Sequence, residues 1–162
     1  MKKLSSIATF FFQLLLTFGV LFILYMIFAV LDNDEVDMIS EVGLLTIQPL
    51  FAAILSALTI VACAVIGLPI RLNSKVNKWW KGRPIVSIIG GTIGLTLLLL
   101  SINHNFTEDK KVIINEEEII KQIPNTILAL TGWFLTGFSL LHFYPLTFLR
   151  QVKNRLMRPV NS

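Results

Sequence analysis

Two histidines, one cysteine and ten acidic residues are the side chains of this chain with the widest chemical range. His142 lies inside a long apolar run, and an ionisable residue in such a run is a functional candidate by default. The competing reading is a histidine held by a hydrogen bond to a neighbour at a membrane boundary, beside Tyr144. His104 ends a different apolar run, at the opposite face of the bilayer from His142. One copy of the chain therefore cannot clamp a single haem between the two, and a haem-associated or redox subunit would need symmetry mates or other ligands. No CxxCH and no multi-Cys/His spacing is present, so no metal and no cofactor are expected. Cys63 stands alone, which rules out an intramolecular disulfide.

The other polar residues within the apolar runs are mild: Gln13, Thr17, Gln48, Ser56, Thr59, Thr92, Thr96, Thr131, Thr136 and Ser139. Gln13 joins His104 and His142 as a candidate functional polar residue. Ion-coupled transporters usually place a carboxylate or a basic counter-charge in the pathway, and here the runs hold none. Membrane hydrolases and lipid-processing enzymes need a nucleophile with its base, a metal, or paired carboxylates. No such set stands out, so no catalytic residue is assigned and the protein is expected not to be an enzyme. Glu116, Glu117 and Glu118 suit the first turn of a helix, where negative charge complements the dipole. Asn105-Phe106-Thr107 matches a glycosylation sequon but sits directly at the membrane surface.

The elements that must position these residues follow from the charge deficit. Hydrophobic residues make up 54% of the 162 residues and charged ones only 15%, against about 25% charged in a soluble domain. The charges fall in short blocks between apolar runs long enough to cross a bilayer as helices. The runs are at about 7–31, 44–70, 84–103 and 125–148. The expected fold class is an all-α integral membrane protein with four transmembrane helices in two in–out–in hairpins. Residues 1–162 form one four-helix transmembrane domain in this reading, with no soluble domain. The first run, at 25 residues, is longer than the apolar core of a signal peptide, about 7–15 residues, and reads as an uncleaved anchor.

Orientation follows from lysine and arginine in short loops. Lys2, Lys3, Arg71, Lys75, Lys78, Lys81, Arg83, Arg150, Lys153, Arg155 and Arg158 all fall on one side, and every acidic residue falls on the other. The basic side is expected to be cytoplasmic, with both termini there and the protein in the inner (plasma) membrane. Trp79 and Trp80, flanked by Lys78, Lys81 and Arg83, are expected to anchor that side among headgroups. The loop is too short and too close to the membrane to make a nucleic-acid patch, so no nucleic-acid partner is expected.

Small residues mark where helices approach. Ser87, Gly90, Gly91 and Gly94 lie in the third span, Ala53 and Ala57 in the second, Gly132 and Gly137 in the fourth. In lipid, close backbone approach replaces the hydrophobic drive between helices, so these positions are expected at packing interfaces. Asn115 and Glu118 have capping-box spacing, which predicts a fourth helix starting outside the membrane and bending near Pro124. Asp37 starts the second helix in the same way, with a bend at Pro49. An offset of 75 residues pairs Thr17 with Thr92, Gly19 with Gly94, Asp34 with Asp109, Glu41 with Glu116 and Pro49 with Pro124, the pattern of an internal duplication.

With packing accounted for, no chemistry is left over. The expected role is a non-enzymatic accessory or scaffold subunit of a larger membrane complex. Its partners would be the lipid bilayer and other membrane subunits or copies of itself. The competing class is a homo-oligomeric channel or transporter for a neutral or small solute, lined by threonine and serine from the third and fourth helices. A haem- or redox-associated subunit is the third class.

Overall fold

Residues 7–31 carry no charge, so a helix is the one conformation that satisfies their backbone within the segment. A computed structural model describes residues 2–31, 38–103, 105–114 and 117–156 and shows that helix as α1, Lys2–Leu31. Then come α2 (Met38–Ile66), α3 (Leu68–Leu72), α4 (Ser74–Gly82), α5 (Pro84–Ser101), β1 (Glu108–Ile114), β2 (Glu117–Ile123), α6 (Thr126–Leu141) and α7 (Pro145–Leu156). The chain is mostly helical. Among the described residues, three helical segments are long and apolar enough to cross a membrane: Ile7–Leu31, Leu45–Ile66 and Pro84–Ser101. The apolar α6 is shorter, at 16 residues.

Where elements end differently from the sequence expectation, proline and glycine explain most of it. The second span was expected to run to residue 70, but α2 stops at Ile66. Pro69 has no N–H to donate back, and the chain turns at Gly67 into the short α3. Asn73 then closes α3 and opens α4, its side chain accepting from the backbone N–H of Lys75 and Val76. The fourth span was expected to reach residue 148, but α6 stops at Leu141. Pro145 disfavours helical geometry at the residue before it and restarts the chain as α7. Pro49 is accommodated inside α2, which is assigned as one helix through it.

The largest departure lies between α5 and α6. A helix was expected to begin at Asn115 with Glu118 as capping partner. Instead Glu108–Ile114 and Glu117–Ile123 pair as an antiparallel hairpin, with Val112 opposite Ile119. Val112, Ile113, Ile114, Ile119 and Ile120 are β-branched and favour strand, so pairing wins over the local capping signal. Asn115 and Asp37 themselves lie outside the described residues. The hairpin also breaks the 75-residue equivalence: residues 42–48 are helical in α2, whereas their counterparts 117–123 are strand.

Helix directions follow from which residues meet. A Cβ on Gly94 would meet Gly132 and Thr136, and one on Gly90 would meet Ser139, so α5 and α6 run antiparallel. Thr59 meets Trp133 while Gly67 meets His142, so α2 and α6 run parallel. Leu21 meets Gly137 while Gln13 reaches Phe143, so α1 runs against α6. α1, α2, α5 and α6 therefore alternate in direction along the chain.

The interior is unusual for a protein in water. Among the described residues, Leu21, Leu98 and Trp133 form a small apolar core. The other buried positions include Gln13, Thr17, Ser56, Thr59, Ser87, Ser101, Thr136, Ser139 and His142. Large apolar side chains such as Phe11, Leu15, Ile54, Leu58, Ile89 and Leu99 point outward. A soluble monomer rarely exposes apolar patches of this extent. A surrounding solvent of lipid tails removes the penalty and leaves helix association to close packing and hydrogen bonds.

Candidate functional site

One group of buried polar residues lies at the end of the bundle where α6 stops and α3 and α4 lie. A helix end leaves its last carbonyls without intrahelical partners. At the end of α6 they are taken one by one by side chains from other elements. Arg71 on α3 donates from Nη2 to Leu141 O at 3.1 Å. Trp80 on α4 donates from Nε1 to His142 O at 3.0 Å, and Ser87 on α5 donates to the same oxygen at 3.1 Å. Gln13 on α1 donates from Nε2 to Phe143 O. Four elements distant in sequence thus share one task, capping α6.

His142 stands at the centre of this arrangement and is fully buried. Its Nδ1 lies 2.9 Å from Phe138 O, and since a carbonyl only accepts, Nδ1 carries the proton. The ring stacks on Phe138 with centroids 4.4 Å apart and receives the edge of Trp80 at 6.1 Å. Its Nε2 is buried and faces Gly67. A Cβ on Gly67 would overlap the imidazole itself. The turn between α2 and α3 is therefore glycine for a steric reason, and the histidine fills the space that a side chain would take.

Arg71 completes the electrostatics. Its guanidinium faces the C-terminal end of α6, where the helix dipole is negative. It also lies 4.6 Å above the Phe10 ring centroid, a cation–π contact. Burial lowers the proton affinity of Arg71, and the Tyr144 phenol acts in the opposite sense; the group stays cationic, as arginine does in proteins. Its Nε is buried without a partner, as is Oδ1 of Asn77, whose Nδ2 donates to Arg71 O.

The other residues singled out from the sequence are placed as follows. Gly90, Gly94 and Gly132 lie where α5 and α6 touch: a Cβ on Gly132 would come 2.6 Å from Gly94 O. Gly137 faces Thr59, Leu21 and Cys63, joining α6 to α1 and α2. Gly91 has only Ser139 within reach and is peripheral. Ala57 is exposed and Ala53 half-buried, whereas their neighbours Ala52 and Ser56 face inward. Trp79 and Trp80 divide: Trp79 is exposed with Arg83 4.9 Å over its ring, while Trp80 turns into the bundle. Lys78, Lys81 and Arg83 are exposed, and Lys81 lies 5.3 Å from the Tyr144 ring. His104 lies outside the described residues.

Reading the sequence alone passes over Gly67 and Arg71, although the Gly-Leu-Pro turn at the end of an apolar run is a visible stop signal. Most hydroxyls are spent locally. Thr17, Thr46, Thr59, Thr92 and Thr96 each donate to the carbonyl four residues earlier. Across helices, Trp133 Nε1 donates to Thr59 Oγ1 at 2.8 Å and Tyr25 OH to Gln48 Oε1 at 2.9 Å. A shallow apolar groove of about 330 Å³ runs along α1 past Phe22, Met26 and Val30. No protein-family model, no curated protein and no solved structure matches this chain.

Proposed function

We propose that the chain is a four-pass inner-membrane protein with both termini cytoplasmic, acting as a non-enzymatic accessory or scaffold subunit of a larger membrane complex. The observation that carries this reading is the use made of the buried polar groups. Arg71, Trp80, Ser87, Gln13 and His142 are spent on the end of α6 and are directed at backbone carbonyls. They hold a shape. Cytoplasmic placement of α3, α4 and α7 rests on their lysines and arginines. The alternating helix directions suit two in–out–in hairpins. In this reading α6 is the fourth crossing. Its 16 residues span about 24 Å, and mismatch with a thicker bilayer is met by local thinning or by flanking residues.

The haem alternative loses its better ligand, since His142 Nε2 has Gly67 against it and Nδ1 is engaged. The channel alternative has one supporting observation. Thr92 and Thr96 are exposed on the outer face of α5, where several copies could line a neutral pore. Purification in native nanodiscs followed by native mass spectrometry separates the readings. Larger membrane proteins in fixed stoichiometry are the expected result. A homo-oligomer without partners would refute the subunit reading and direct attention to solute flux in liposomes.

A further inference from the structure

Between Glu41 and Glu108 the chain holds no acidic residue, and none precedes Asp32 or follows Glu118. The basic end of the bundle therefore has no carboxylate of its own to neutralise Lys75, Lys78 and Lys81, and the counter-charge has to come from outside the fold. α4 is built to meet it in a defined orientation. With about 100° between successive helical residues, Lys75, Lys78 and Lys81 occupy one arc of about 120°. Trp80 and Asn77 lie on a second arc, between Lys81 and Val76, and are tied to the bundle, Trp80 through Ser87 and His142 O, Asn77 through Arg71 O. Those two tethers fix the roll of the helix. A third arc holds the exposed Val76 and Trp79. A short helix with one anchored face, one apolar face and one lysine face lies flat at a membrane interface, apolar side toward the acyl chains and lysines among the headgroups.

We infer that α4 is an anionic-phospholipid site, its three lysines holding phosphate-bearing headgroups of net negative charge while Trp79 and Val76 seat the adjoining acyl chains. This rests on the reading that the basic end lies in a bilayer leaflet, and it adds a lipid class to that reading. The occupant is lipid because the lysine arc and the apolar arc are adjacent, which matches the boundary between headgroup and tail.

The test uses the full chain reconstituted in liposomes with trace spin-labelled phosphatidylglycerol or phosphatidylcholine, reading the fraction of label immobilised by the protein. The expected result is a preference for phosphatidylglycerol of about fivefold, the equivalent of one well-placed lysine at an anionic surface. It should shrink in high salt and fall to near parity in K75Q/K78Q/K81Q, while K153Q on α7 keeps most of it. Circular dichroism verifies that the exposed substitutions leave the helices intact. Equal immobilisation of both labels by the native chain, or a preference that survives the triple substitution, overturns the proposal. Immobilisation of neither label overturns both the lipid site and the membrane reading, so the two failures are told apart.

Discussion

Gly67 and His142 are complementary in the literal sense, since the imidazole occupies the volume that any side chain at 67 would need. Gly67→Ala should therefore destabilise the bundle by roughly 1–3 kcal/mol, the usual cost of overpacking. Thermal unfolding in detergent, followed by circular dichroism, measures it. His142→Ala in the same background tests the pairing. If the clash is the cause, the double variant should be less destabilised than the sum of the two single ones. Gln13→Leu removes the donor to Phe143 O at nearly constant volume. Hydrogen bonds between membrane helices average only about 0.6 kcal/mol, so the expected loss is small, less than for Gly67→Ala. A larger loss would show that Phe143 O finds no substitute donor.

At the scale of elements, α5 and α6 are joined by glycine, with the hairpin between them in sequence. Gly94→Leu would push its side chain into the backbone of Gly132 and Thr136. It should separate α5 from α6 and lower the unfolding temperature, whereas Gly91→Leu, facing only Ser139 Cβ, should be tolerated far better. The contrast between these positions, three residues apart, is the measurement, because both change the same residue type in the same helix. β1 and β2 form a two-stranded sheet, which by itself is marginally stable in water. Amide hydrogen exchange should therefore be faster at 110–113 and 118–121 than at 90–98 in α5. Equal protection would mean that the two strands are held by more than their own pairing.

For the whole molecule, the outward-facing apolar surface and the bias of basic charge toward one side suit the proposed placement, with the middle in lipid and ends of different charge. Labelling from outside sealed vesicles tests the orientation. In a Cys63→Ser background, Glu108→Cys should react with an impermeant maleimide from the outer side, while Lys75→Cys and Lys153→Cys should react only after the membrane is opened. Reaction of all three from one side would break the four-pass topology. Cys63 itself is buried at 1% exposure, so its replacement by serine should alter labelling background and little else.

Apolar length was legible in the sequence for three spans because lipid acts on each segment separately: a run of uncharged residues must become a helix whatever its neighbours do. The small residues at 90, 94, 132 and 137 were legible for a similar reason, since close approach in lipid has few other solutions. The hairpin at 108–123 was not, because a capping-box spacing and a β-branched run compete locally and strand pairing decides between them. Nor was the inward turn of Trp80, which differs from Trp79 only in which side of α4 faces the bundle. The cap on α6 belongs wholly to the tertiary structure. Gln13, Arg71, Trp80 and Ser87 are spread over four elements, and only their convergence on the carbonyls of Leu141, His142 and Phe143 gives them one role.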